Sequence, residues 1–474
     1  MSVKTAEWSW AAGSLATGAV YNAMALFSLF FLTQILGVSP ALAGSLLLFT
    51  KLYDAVTDPL MGAISDRTSH RWGPRRPYLL LGSVLLGVSF ALLFNAPALD
   101  GPALIAMVVV LLLLQSTGYT VFAVPYLAMT PDIAESYNGR TRLMSMRVGF
   151  LIVGVMIGSV GGPWIVGITD TPREGYALLG VSLGAFVVLC GLLAFAGTSS
   201  VRSARIESRQ AKQSVAGGSA WSNSLKDMVE VFAHRPFRLL TLVKLLQLMV
   251  LALALACTPF FFQYVLERPM GDISYYLMTF SLCGLASVPI WRVVIGRFGK
   301  REIYMVSIFG YGVGLCSWWL WAPGESDVFF YARAVVLGIL SNGTLLCALS
   351  MLPDTMEFDR LKTGRNREGV MSGVFTTVEK LSGAAGPFVI GILLQTMGLL
   401  SGDAAAAGQP QSALTAIHLG VSLVPALVCF AALPLLMRYD LSEKKIGELR
   451  REVLGDSASS GDSSSQGEVV TPTS

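Results

Sequence analysis

Apolar runs of about twenty residues alternate with short polar segments along this chain, and the alternation recurs twelve times. A helix needs about 20 mostly apolar residues to cross a bilayer. Runs of that kind cover residues 8–36, 41–63, 77–98, 102–126, 145–169, 175–197, 236–265, 273–293, 302–322, 328–351, 370–397 and 412–437. They divide six and six about a polar stretch that carries Arg202, Arg205, Arg209 and Lys212, then Gly217, Gly218 and Ser219. The pattern predicts an all-α polytopic membrane protein, with twelve transmembrane helices in two pseudo-symmetric six-helix halves. The first half spans residues 1–197 and the second 236–440, joined by a linker over 198–235. A tail over 441–474 turns rich in Ser, Gly and Asp from about Gly455 and is expected to be disordered, after a short amphipathic helix around Lys444 to Leu454.

Charge placement orients the spans. Basic residues gather in alternate loops: Arg67, Arg71, Arg75 and Arg76; Arg140 and Arg142; the linker cluster; Arg297, Lys300 and Arg301; and Arg360, Lys362, Arg365 and Arg367. The tail adds Arg438, Lys444, Lys445, Arg450 and Arg451, whereas the opposite loops hold Arg173 and Arg268. Positive loops stay on the cytoplasmic side, so both termini are expected there. Adding or removing one span would move the later basic loops to the wrong side. Trp8 and Trp10 suit an interfacial anchor for the first span, and residues 1–7 are too short and polar for a cleavable signal.

Composition narrows the class. Of 474 residues, 53% are hydrophobic and 14% charged, well under the roughly 25% charged of soluble proteins. The six cysteines (Cys190, Cys257, Cys283, Cys316, Cys347 and Cys429) fall in apolar stretches without metal-ligand spacing, which makes them packing residues. Three histidines, His70, His234 and His418, and the absence of a nucleophile elbow or phosphate loop argue against an enzyme. No cofactor is expected beyond a coupling ion, Na+ or H+. The expected partners are a small-molecule substrate and the lipid bilayer, with no nucleic acid. The expected setting is the plasma membrane, the bacterial inner membrane, where this architecture works as a monomer.

A repeated cytoplasmic turn supports the two halves. Gly62, Asp66 and Arg67, followed by Arg71, Gly73, Arg75 and Arg76, follow the second span; Gly296, Arg297, Gly299, Lys300 and Arg301 follow the eighth. Asp66 is placed to cap a helix end, and the arginines to meet helix carbonyls or carboxylates.

Ionisable residues inside a span are costly and therefore informative. Asp54 and Asp58 stand four apart on the second span, hence on one helix face. Two such carboxylates repel unless a sodium ion, a shared proton or a basic side chain lies between them. Thr57 and Thr120 could complete a sodium shell. Lys380, in the eleventh span beside Glu379, is the expected counter-charge; Arg147, Lys244 and Arg333 are further basic candidates. Arg147 would otherwise snorkel to the surface. Residues placed to line a substrate cavity are Tyr21, Asn22, Tyr119, Tyr126, Gln247, Tyr264, Asn342, Thr376 and Thr377, with Gln263 also in reach.

The run Lys51, Leu52, Tyr53, Asp54, Ala55, Val56, Thr57, Asp58, Pro59, then Gly62 and residues 71–77, resembles the glycoside–pentoside–hexuronide:cation symporters, which include the melibiose permease, and so implies the major facilitator fold. Tyr119, Thr120, Pro125, Tyr126, Arg140, Arg142 and Arg147 match the same family, as do Pro353, Asp354, Glu357, Glu379 and Lys380, and the similarity runs over residues 8–440. The resemblance implies that Asp54, Asp58 and Thr120 form a sodium or proton site contacted by Lys380. It implies cation-coupled uptake of a glycoside or other small polar solute. The chain departs from the family at Gly18 and Ala123, where acidic sugar ligands stand in the melibiose permease, and at Leu127, where it has a tryptophan. A second implied reading is a symporter or facilitator of amphiphiles, since animal lysophospholipid carriers are more distant relatives.

Overall fold

The computed structural model describes residues 3–97, 99–134, 137–200, 230–322, 324–363 and 367–441, with 445, 447–449 and 451 beyond. The linker cluster at 202–219, Arg365 and most of the tail lie outside the described residues. The described chain forms twelve long helices and no strand: α1 (Val3–Phe30), α2 (Pro40–Arg67), α3 (Arg76–Phe94), α4 (Gly101–Ala128), α5 (Tyr137–Met156, extended to residue 167 through a wider turn) and α6 (Pro172–Gly197). The second set is α7 (Arg235–Tyr264), α8 (Asp272–Phe298), α9 (Lys300–Cys316), α10 (Asp327–Thr363), α11 (Glu368–Thr396) and α12 (Gln411–Val421 and Leu423–Met437).

Eleven of these are long and apolar enough to span a membrane on their own. The exception is α2, whose Lys51, Asp54, Asp58, Asp66 and Arg67 lower its hydropathy. Intramembrane charge is tolerated where neighbouring helices supply partners, so the least apolar helix is the one to search for chemistry. Several helices also outrun their apolar segments. α10 continues to Thr363 rather than residue 351, and α5 begins at Tyr137 rather than residue 145. The apolar window registers the lipid-depth part alone, while polar turns keep their helical bonds beyond it.

The repeated turn predicted from sequence is repeated in bonds. Arg75 donates to the Ala128 carbonyl at 2.6 Å and pairs with Asp132 at 2.7 Å. Lys300 donates to the Ser350 carbonyl at 3.3 Å and pairs with Asp354 at 2.6 Å. In each case the carbonyl and carboxylate are four residues apart: Ser350 and Asp354 lie within α10, while Ala128 ends α4 and Asp132 follows just past it. The next residue does the same in both: Arg76 reaches the Phe195 carbonyl at 2.8 Å, and Arg301 reaches those of Leu436 and Met437 at 3.0 and 2.6 Å. Asp66 does not cap a helix; it binds Arg75 at 2.7 Å, because a fork of donors can serve two carboxylates at once. Arg71 lies over the Trp72 ring and Arg67 is exposed. Gly73 holds a φ of 94°, which a side chain would strain.

The two sets meet along α2 and α11, and the meeting tapers. At the end opposite the termini, a Cβ on Gly391 would overlap the Pro40 carbonyl, and one on Gly44 would stand 2.7 Å from the Pro387 carbonyl. Nearby, Tyr264 of α7 donates to Gln34 at 2.6 Å, Phe30 packs edge-on against Phe260, and Ser274 donates to the Val160 carbonyl. One turn deeper, Gly383 sits against the Tyr21 hydroxyl, and then Lys380 meets Asp58. Below Lys380 on the same face, Thr376 and Thr377 are exposed and Gly373 has nothing within 4 Å of a Cβ position. The molecule is therefore closed at one end and open at the end where the termini lie.

Candidate functional site

α2 and α4 run side by side in the same direction, which lines up residues of equal spacing. Asp54 and Asp58 are one turn apart on α2; Ser116 and Thr120 are one turn apart on α4. Ser116 hydrogen-bonds Asp54, and Thr120 donates to Asp58 at 2.8 Å. Tyr53 and Thr117 add a third link at 3.0 Å. Each carboxylate also holds a lysine. Lys51 of the same helix stands 2.8 Å from Asp54, and Lys380 of α11 reaches Asp58 from the other half. Asp54 is 3% exposed and the Asp58 side chain 17%. A carboxylate that far from water needs a partner in place, because an unpaired buried charge costs several kcal/mol.

The site gathers two carboxylates and two hydroxyls, all hard oxygen donors of the kind sodium takes, and two carboxylates able to share a proton. Asp54, Asp58, Thr120 and Lys380 are brought together as the sequence expected. Thr57 is not with them: its hydroxyl bends back to the Tyr53 carbonyl at 3.1 Å. Glu379 does not face the aspartates either. It pairs with Lys244 at 3.4 Å inside the second half, and Lys244, 1% exposed, lies over the Phe375 ring at 5.1 Å. Adjacent residues of a helix point about 100° apart, so Lys380 crosses to α2 while Glu379 turns inward. Arg147 is paired with neither aspartate, since these hold Lys51 and Lys380 instead, and its Nε is buried without a hydrogen-bond partner. Arg333, a further basic candidate, pairs with Glu325 at 2.6 Å far from this centre.

Beside the carboxylates, toward the closed end, a small cavity lies between α1, α2, α4 and α11. Tyr21, Tyr119, Lys51, Gln115, Gly383 and Pro387 are among its walls. Tyr21 and Tyr119 therefore stand where the sequence placed them, and Asn22 is half-buried one position along α1. Thr376 and Thr377 face the opening below, their hydroxyls returned to the Ser372 and Gly373 carbonyls.

Four cavity candidates belong elsewhere. Tyr126 is buried between α1 and α4, stacked on Trp10 and bonded to Ser14 at 2.6 Å and to the Trp10 carbonyl at 2.9 Å; its hydroxyl is used in packing. Tyr264 holds the closed end through Gln34. Gln247 is tied to Tyr304 at 2.6 Å and Thr344 at 3.1 Å inside the second half. Asn342 fills the space over Gly284, where a Cβ would overlap its amide nitrogen. Gly18 also gains a reason: a Cβ there would stand 2.5 Å from the Leu151 carbonyl, so α1 rests on the α5 backbone where an acidic side chain would otherwise project.

Ser116, Lys51 and Gln115 were not singled out from sequence. A signal existed for the first: the Ser116 and Thr120 spacing copies that of Asp54 and Asp58. Removing either hydroxyl is expected to weaken cation binding about tenfold, the scale of one hydrogen bond to a charged group. The check is the sodium or proton concentration giving half-maximal stabilisation of Ser116→Ala and Thr120→Ala. Unchanged midpoints in both would remove the hydroxyls from the site.

Comparison with known proteins follows this geometry. The family described as MFS/sugar transport protein matches residues 9–443. An Escherichia coli protein provisionally named a glycoside/cation symporter is 25% identical, with 95% of each chain covered. Another from the same organism, provisionally named a sulfoquinovose importer, is 25% identical over 90% of this chain and 89% of its own. Among solved structures, a D-xylose–proton symporter superposes with a TM-score of 0.63 at 15% identity, covering 93% of this chain and 99% of that one. That last likeness is one of fold.

Proposed function

The chain belongs to the MFS/sugar transport protein family, and we propose that it is a cation-coupled symporter that carries a small sugar-like solute by alternating access. Its helices and its family make it a multi-pass protein of the bacterial inner membrane and a member of a family of transporters. The names of the two Escherichia coli relatives support a sugar-like solute.

The observation that carries the coupling is the bond from Lys380 to Asp58, which ties α11 to α2 across the two halves. A sodium ion or proton arriving at Asp58 competes with the Lys380 ammonium for the same oxygen. Once the cation holds the carboxylate, the cross-half tie is released, and the halves are free to close over the cavity at the open end. Lys51 plays the matching part at Asp54, where its ammonium also faces the cavity. A ligand shifts such an equilibrium by its differential affinity for the two conformations. With the termini in the cytoplasm, the present conformation is the inward-open one, and the monomer contains the whole pathway.

The test is uptake into proteoliposomes under an imposed sodium gradient or an imposed pH gradient. The expected result is accumulation above the external concentration with one of them, and equilibration alone when both are collapsed. Uptake indifferent to both gradients would overturn the proposal.

A further inference from the structure

α5 does not reach residue 167 as one regular helix. Residues Ile157–Gly161 form a turn that is one residue too wide, and regular helix resumes over Gly162–Gly167. Such a turn closes its hydrogen bonds five residues apart instead of four, so it carries one residue more than the helix around it. Pro163 supplies a reason, since it brings no N–H and its ring crowds the carbonyl four residues before it. That reason is not sufficient. α11 also carries a proline inside it, Pro387, and stays regular over Glu368–Thr396.

The difference lies in what the other half presents. α11 packs on α2, where the Pro387 carbonyl faces Gly44, a residue with no side chain. α5 packs on α8, where Ser274, 3% exposed, donates its hydroxyl to the Val160 carbonyl at 2.6 Å. A carbonyl of the wide turn therefore has a partner that belongs to the opposite half and leaves when the halves part. The turn also has room to change, because nothing lies within 4 Å of a Cβ position on Gly161. Just beyond it, Gly167 rests against Gly271, the residue before α8. We propose that the wide turn of α5 is a conformational switch: it persists while the closed end holds Ser274 on Val160, and tightens to regular helix when that end opens. Tightening turns residues 162–167 by roughly 100° and shifts them about 1.5 Å along the axis, which carries Gly167 off Gly271. The proposal rests on the alternating-access reading and adds to it a part that changes shape within one half.

The experiment follows amide hydrogen exchange over residues 157–167 of the purified full-length protein, beside labelling of a Gln34→Cys reporter at the same end with an impermeant maleimide. Gly391→Val forces α2 from α11 at this end. It speeds labelling and slows exchange over 157–167, because a regular turn protects its N–H groups. A seam that parted without tightening would admit water and speed that exchange. Ser274→Ala takes away the partner of the wide turn and acts in the same direction, with labelling about fivefold faster, the scale of one hydrogen bond. Deletion of Gly161 takes out the extra residue, leaves nothing to tighten and acts oppositely, with labelling slower than in the wild type. Exchange that is unchanged or faster in Gly391→Val while labelling rises would overturn the switch and leave alternating access standing. Wild-type labelling in Ser274→Ala, or labelling at or above the wild-type rate in the deletion variant, would overturn it too. Labelling unmoved in both Gly391→Val and Ser274→Ala would overturn the switch and alternating access together. If the deletion variant does not fold, exchange and labelling in the two substitutions decide the matter.

Discussion

Asp58→Asn abolishes gradient-driven accumulation of solute while the protein still folds and inserts. The substitution keeps the shape of the side chain and leaves a carbonyl oxygen for the Thr120 hydroxyl, now 2.8 Å from Oδ1. It removes the charge, and with it both the attraction for a cation and the tie to Lys380. The stranded lysine side chain is 42% exposed, so water takes over its hydration and the stability loss stays within about 1 kcal/mol. Accumulation falls by roughly tenfold or more, to the level of equilibration, since one full charge contact in a partly buried site is worth well over 1.4 kcal/mol. Solute exchange between equal internal and external pools needs no net coupling and continues. Vesicle accumulation and counterflow measured side by side distinguish the two. Accumulation at the wild-type level would show that Asp58 is a structural partner of Lys380 and nothing more.

How much of this was legible beforehand depends on the range of the interaction. The twelve spans, the repeated basic turn and the i, i+4 carboxylates are local patterns, and a single sequence displays them. Lys380 was reachable too, because an ionisable residue deep in a span must have a partner and few were available. Glu379 shows the limit. It is adjacent to Lys380, and only the rotation of α11 decides that it turns to Lys244 rather than to Asp58. Tyr126 and Tyr264 misled for a related reason. A tyrosine in a span reads as cavity lining, but whether its hydroxyl meets solute, Ser14 or Gln34 is set by which helix lies behind it.

The closed end rests on glycine, and a side chain there should change which end is open. Gly391 of α11 stands so near Pro40 of α2 that a Cβ would overlap the Pro40 carbonyl, and Gly44 makes the reciprocal approach to Pro387. The obstacle is backbone in both cases, so no rotamer change can relieve it. Gly391→Val must therefore part α2 from α11 at this end, at a cost of about 1–3 kcal/mol. That cost falls on the conformation with this end closed and spares the one with it open. Two transporter conformations commonly differ by only a few kcal/mol, so the penalty moves the population by roughly tenfold to a hundredfold. The bond from Tyr264 to Gln34 spans the same seam and is lost when it parts. A Gln34→Cys reporter therefore labels at least tenfold faster with an impermeant maleimide in the Gly391→Val background, and net uptake slows by a similar factor because the return to the terminus-open state has become the hard step. Gly391→Ala adds the overlapping Cβ alone and gives the same changes with smaller size. Unaltered labelling together with wild-type uptake would mean that α2 and α11 do not need to touch here, and that the seal lies in the aromatic pair Phe30 and Phe260 instead.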